Sequence, residues 1–153
     1  RLVVHLLERP AALAEARRVL APDGRLAIAT FHPAHFDSSW LGRIYPHLAD
    51  IDRARFPSPG QLEDELYAAG FADVRSIRLS QVRLLARAEA LERLRGRYIS
   101  TLQLLAPDEL AAGLECAERE LPDPVETRLE WLVMVAEGSL SPGFTRSSLQ
   151  LDC

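Results

Sequence analysis

The stretch Arg25–Phe31, RLAIATF, constrains the fold more than any other part of this chain. It is apolar on both faces until Thr30 and shows no polar alternation. Strands buried on both faces read this way, and they belong to parallel sheets covered by helices. The turn signal Pro22-Asp23-Gly24 stands directly before it. Further upstream, Leu13, Ala16, Val19 and Leu20 make one apolar stripe at helical spacing. Pro10 suits the first turn of that helix, and Arg17 and Arg18 suit the negative end of its dipole. Helix, tight turn and two-face strand form the second half of a βαβ unit. The pattern predicts Arg25–Phe31 as a central, fully buried strand. Leu2, Val3 and Val4 fit the end of a preceding buried strand or the start of a connection.

Downstream of the strand, residues 32–57 carry prolines, aromatics and histidines without a clear period. Loops of this length inside compact domains are uncommon and are often functional. A short helix is expected within Trp40 to Leu48. Ser58-Pro59-Gly60-Gln61 then opens a helix: Ser58 caps, Pro59 takes the first position, and Gln61 completes a capping box. Leu62, Leu66 and Ala69 form its buried stripe, and Gly70 supplies a left-handed turn against which Phe71 packs. Val74 to Leu79 reads as a second strand. Apolar residues at 84, 88, 91, 94, 98, 102 and 105 predict a helical segment with a break at Gly96. Pro107, Asp108 and Glu109 open another helix, with Leu110, Leu114, Ala117 and Leu121 as its stripe. Leu129 to Glu137 is the last strand, with Trp131, Val133 and Val135 on one face. The Ser-rich tail, 139–153, has no periodicity and is expected to be disordered.

A chain of 153 residues suits one domain, and a net charge of -4 argues against a general nucleic-acid ligand. All 18 basic residues are Arg, with neither Lys nor Asn present. The longest strongly apolar run, Trp131 to Ala136, is far too short to cross a bilayer. Two cysteines, Cys116 and Cys153, make no disulfide framework and point to a reducing, cytoplasmic setting. The first residue, Arg1, lies directly inside an apolar run, which reads as a start partway through a domain.

His5-Leu6-Leu7, Arg9-Pro10, Glu15-Ala16-Arg17-Arg18-Val19-Leu20 and Pro22-Asp23-Gly24-Arg25-Leu26 resemble the second half of a class I S-adenosylmethionine-dependent methyltransferase. Ala68-Ala69-Gly70-Phe71 resembles the family's A-G-F at the end of the next helix. The resemblance implies an α/β fold: a partial Rossmann-like sheet of the end of strand 4 and strands 5, 6 and 7. Flanking helices and a helical insert, about 84–122, would complete residues 1–138. The Trp131 strand would be the antiparallel seventh strand. The implied activity is methyl transfer from S-adenosylmethionine to a small-molecule acceptor. The family's Gly-rich loop and its ribose-binding acid are missing, so the chain alone is expected to be inactive and to bind cofactor weakly or not at all. What remains of the cofactor site would be Arg1, Leu2 and His5. The absent strands would leave a sheet edge open, which predicts self-association. A different reading is a non-catalytic dimerisation module derived from the same fold.

His32 and His35 follow the two-face strand at its carboxyl end, where open α/β sheets bind ligands. Either imidazole could serve as a base or orient an acceptor. Phe36, Trp40, Tyr45 and Phe56 could line an acceptor pocket. His32-x-x-His35 with Asp37, His47, Asp50 and Asp52 offers a metal-site alternative, although H-x-x-H in a loop specifies little. Asp52, Arg53 and Arg55 read as an ion-pair network. Arg83, Arg87, Arg93, Arg95 and Arg97 read as a solvated basic helix face.

Overall fold

The computed structural model describes residues 3–138. Its order is a short 3-10 helix (Val4–Leu6), α1 (Arg9–Val19), β1 (Arg25–Phe31), α2 (Ala34–Ser38), α3 (Leu41–Ile44), α4 (Leu48–Arg55), α5 (Pro59–Ala68), β2 (Phe71–Leu85), α6 (Arg87–Arg95), a second 3-10 helix (Ser100–Leu104), α7 (Pro107–Glu120) and β3 (Val125–Gly138). The three strands form one sheet in the order β1-β3-β2, and β3 is antiparallel to both neighbours. β1 and β2 therefore run parallel to each other without touching, and the last strand fills the space between them. No helix among the described residues is long and apolar enough to cross a membrane.

One face of the sheet carries the first core. Leu132, Met134 and Ala136 of β3 alternate with half-buried residues and pack against Leu13, Leu62, Leu66, Phe71 and Val4. The period of two in β3 is what places these three side chains together. α5 is held as its sequence dictates. The Ser58 hydroxyl accepts from Gln61 N at 3.2 Å, and the Gln61 side chain returns a bond to Ser58 N at 2.9 Å. Gly70 sits at φ +85, a conformation that L side chains rarely adopt. Across the layer, Arg9 of α1 forms a two-pronged pair with Glu65 of α5 at 2.7 and 2.8 Å.

A second core lies among the helices. Tyr45, Leu48, Leu94, Leu102, Ala117 and Val125 are all nearly inaccessible there. Gly113 of α7 is needed at this point, because a Cβ on it would lie 2.0 Å from Cε1 of Tyr45.

Several expectations change. Among the described residues β1 is an edge strand in an antiparallel pair, not the central strand of a parallel sheet, and only its Thr30 is fully buried. Its two apolar faces are not equally covered: Leu26 and Ile28 pack on the core beneath α1, whereas Ala27 is exposed. Val4 to Leu6 is a 3-10 helix, so of the two readings of this stretch the start of a connection fits Val4 and the strand end does not; Arg1 and Leu2 lie outside the described residues. Val19 is 65% exposed, so the α1 stripe is Leu13, Ala16 and Leu20. The second strand is longer than Val74 to Leu79, and the helical insert starts at Arg87, not Leu84. Pairing of Leu84 with Glu126 and of Leu85 with Val125 keeps these residues in the ladder despite their helical spacing. The insert does break after Arg95, where Gly96 caps α6 and Arg97 adopts φ 47. Residues 32–57 hold three short helices. The tail, 139–153, lies outside the described residues.

Candidate functional site

β2 and β3 continue past the end of β1: Phe31 pairs with Trp131, while the β2–β3 ladder runs on to Leu85 and Val125. That overhang makes a floor at the carboxyl end of β1, and α2, α3 and α4 fold over it. The partly open cavity there has a volume of about 250 Å³. Its floor includes Phe31, Thr127 and Leu129; its walls include His35, Phe36 and Trp40 from the α2–α3 segment, and Asp52 and Phe56 from α4. His5 and the Tyr98–Thr101 turn complete it.

The aromatic rings form one connected cluster. Phe31 stacks on His35 at 4.0 Å between centroids, and His5 stacks on Phe56 at 3.9 Å. Phe36 and Phe56 are 5.2 Å apart, and Phe31 and Phe56 are 5.9 Å apart. Such offset and tilted pairs add stabilisation beyond buried area. They also fix the two imidazoles in place.

Burial dominates the electrostatics. It pushes the His35 imidazole down from 6.5 to about 4, against opposing pulls from the Arg128 main chain and the Glu130 charge. Burial also lowers His5, and the Arg55 charge adds to the effect. Both rings are therefore neutral near pH 7, and Nδ1 of each is buried without a hydrogen-bond partner. Asp52 is 6% exposed, and burial raises its carboxyl above the ordinary range. Two groups pull the other way: the Thr101 hydroxyl donates to Asp52 Oδ1, and Arg55 lies 3.9 Å from the same oxygen. Arg55 itself donates to Thr101 at 2.8 Å and to Ser100 at 3.2 Å. Beside the cavity, Glu130 accepts from Ser80 at 2.9 Å and Arg78 at 3.0 Å, and these bonds hold its carboxyl below the usual range.

The structure gathers His5, His35, Phe36 and Trp40 from the sequence candidates around one cavity. His32 is elsewhere. Its main chain continues the β1–β3 ladder through Glu130 O, and its Nδ1 accepts from Ala34 N at 3.2 Å. Tyr45 is 1% exposed and packs on Gly113 in the helical core, not on the cavity wall. Arg1 and Leu2 lie outside the described residues. The metal alternative is pulled apart. Asp37 and Asp50 both pair with Arg53, and His47 pairs with Glu109 at 3.1 Å. Among the described residues no group of three His, Cys, Asp or Glu side chains is placed to hold a metal ion. Arg83 lies on β2 and not on a helix, whereas Arg87, Arg93 and Arg95 lie on α6, with Arg93 and Arg95 exposed, and bond to Glu118 and Glu89.

Sequence reasoning singled out Asp52 as a metal-ligand candidate and an ion-pair member, not as a wall of this cavity, and it missed the Tyr98–Thr101 turn. The turn reaches the cavity only because α6 ends at Gly96, and no residue pattern connects it with α4. Asp52 had one local signal: it lies three residues before Arg55 on a helix whose neighbouring Leu48 is buried.

No protein-family model matches the chain, and no curated protein matches it. Among solved structures, it is similar to phosphoethanolamine N-methyltransferase 2 of Haemonchus contortus in two complexes. One contains phosphomonomethylethanolamine and S-adenosylhomocysteine (14% identity, TM-score 0.41, 90% of this chain and 32% of that one). The other contains S-adenosyl-L-methionine (16% identity, TM-score 0.42, 90% and 31%). A protein of Galdieria sulphuraria assigned as a sarcosine dimethylglycine methyltransferase matches at 18% identity, TM-score 0.36, over 87% of this chain and 48% of that one. This chain spans 31% to 48% of the length of these structures, and TM-scores below 0.5 leave the likeness too loose to define a shared fold.

Proposed function

We propose that this chain is the acceptor-binding part of an S-adenosylmethionine-dependent methyltransferase acting on a small molecule. The observation that carries the reading is the aromatic cavity at the carboxyl end of β1, with two neutral imidazoles and one buried carboxylate around it. The resemblance of the α1–β1 segment and the Ala68–Phe71 turn to the methyltransferase family supplies the reaction class. The antiparallel last strand agrees with the seventh strand which that resemblance implies.

The described residues do not by themselves fit the cofactor. β1 is followed by His32-Pro33 and β2 by Ala86-Arg87, so neither carboxyl end opens into a glycine turn. Gly70 precedes β2 at its amino end, and the space beside Gly24 is filled by Leu20, 2.6 Å from where a Cβ would stand. The cofactor is therefore held by chain outside these residues. On this reading the described residues orient an acceptor beside Phe31, Phe36 and Phe56 and offer unprotonated imidazoles near it.

Calorimetry with S-adenosylmethionine tests this on two polypeptides: the present sequence, and the same sequence joined to whatever its gene encodes ahead of Arg1. Weak or absent binding by the first and clear binding by the second is the expected pair. Micromolar affinity from the present sequence as a clean monomer would contradict the division of labour. A specific observation favours a second reading, association between copies. An apolar groove of about 180 Å³ runs beside the unpaired edge of β1, lined by Val3, Val4, Leu7, Ala12, Leu26 and Ala27 among others. Light scattering distinguishes it: a monomer at high concentration removes it.

A further inference from the structure

From Arg75 to Leu85, eleven consecutive residues of β2 pair with β3 without a register shift. Among the described residues no strand lies on the other side of β2, so alternate N–H and C=O groups along this length point outward unpaired. The side chains there are not those of a strand built to face water. Ile77, Leu79, Val82 and Leu84 are between 49% and 69% exposed.

The period of two divides these four between the faces of the sheet. Arg75, Ile77, Leu79 and Arg83 share one face. Arg78, Ser80, Val82 and Leu84 share the other, where Arg78 and Ser80 reach Glu130. A helix or a second sheet laid on either face would cover one apolar pair and leave the other bare. A strand added along the edge flanks both pairs, because its own side chains alternate beside those of β2.

Charge narrows the partner. Residues 74–85 carry three arginines and no acidic residue, in a chain whose net charge is -4. Arg78 is engaged by Glu130 at 3.0 Å. Arg75 and Arg83 are exposed and make no ion pair among the described residues. The β2 edge of a second copy would set arginines against arginines. A segment with an acid opposite each of Arg75 and Arg83, and apolar residues between, meets the charge and the apolar pairs together.

We propose that the outer edge of β2 binds an extended acidic segment of another polypeptide as a fourth strand, with Arg75 and Arg83 as the charges that select it. The inference is independent of methyl transfer.

The test titrates the present sequence with three end-capped peptides. The first is Glu-Thr-Val-Thr-Val-Thr-Val-Thr-Glu, whose nine residues span Arg75 to Arg83. The second has Lys in place of both Glu, and the third is the Glu peptide with every peptide nitrogen methylated. Backbone amide resonances are the readout. The Glu peptide is expected to bind at least about tenfold more tightly than the Lys peptide, with shifts concentrated on residues 75–85. The methylated peptide, which cannot donate to the β2 carbonyls, is expected not to bind. Joint Arg75→Glu and Arg83→Glu substitution is expected to reverse the preference, and the amide spectrum reports whether the fold is kept. Equal binding of the Glu and Lys peptides, or binding of neither, would overturn the proposal. Retained binding of the methylated peptide would overturn strand addition. A dimer of the free chain whose contact shifts fall on β2 would assign the edge to a second copy and overturn it as well.

Discussion

Gly113→Ala tests the packing that separates Tyr45 from the cavity. Gly113 is buried in α7, and an added Cβ would stand 2.0 Å from Cε1, 2.5 Å from Cδ1 and 2.7 Å from Cζ of Tyr45. Carbon atoms prefer about 3.5–4.0 Å, so ring and helix must part by roughly 1.5 Å. Tyr45 is 1% exposed and shares its cluster with Trp40, Leu48 and Leu94, which leaves no direction of escape. Overpacking of this kind costs about 1–3 kcal/mol and sometimes more, and the depth of this overlap points to the upper end. Against it stands a gain of about 1 kcal/mol, because Ala is a better helix former than Gly. The expected net effect is a loss of ~2 kcal/mol, read as a lowered urea midpoint with unchanged slope. The partner experiment is Tyr45→Leu. In that background the ring is gone, and Gly113→Ala should become neutral or stabilising. A double-mutant cycle with a coupling near zero would refute the reasoning, and would release Tyr45 to serve as a pocket residue.

Ser58→Ala should lower stability by about 0.5–2 kcal/mol, since it removes the hydroxyl that accepts from Gln61 N; denaturation curves read it directly. Glu65→Gln should cost about 1–2 kcal/mol by breaking the two-pronged, three-quarters-buried bridge from Arg9, and an Arg9→Met background should abolish most of that cost. His35 makes stability depend on pH. Its folded value is about 4 against 6.5, so between those values the unfolded chain binds the extra proton. Stability from this group is complete above pH 6.5 and is lost as pH falls towards 4, by on the order of 3 kcal/mol. The His35 ring resonances should titrate near 4; a midpoint near 6.5 would show that the imidazole is not buried.

Local structure was legible wherever it is written in neighbouring residues. The Ser58 capping box is a side chain reaching its own backbone, the Gly70 turn is a left-handed conformation open to glycine, and the acidic start of α7 suits the positive end of its dipole. Buried positions were legible too: helical spacing puts Leu62 and Leu66 on one face of α5, and Ala117 on the buried face of α7. Partnering was less legible. RLAIATF records two apolar faces, but not that β1 has a neighbour on one side alone among the described residues. Leu84 fits a helical stripe, yet thirteen residues of β2 pair with β3 and hold it in the sheet. At the site, His35, Phe36 and Trp40 could be placed because they follow β1 closely. Asp52 and Thr101 meet across 49 residues, a contact that only the folded α4 and the turn after α6 create.

The most direct measurement is transfer of a labelled methyl group from S-adenosylmethionine to a small acceptor, using the chain together with whatever its gene encodes ahead of Arg1. Transfer to a small acceptor, lost in Asp52→Asn and in His35→Phe although both variants keep the fold and bind the cofactor, is the expected result. Cofactor binding without transfer to any small acceptor, or transfer untouched by both substitutions, would show that the cavity at the end of β1 is not where the acceptor sits.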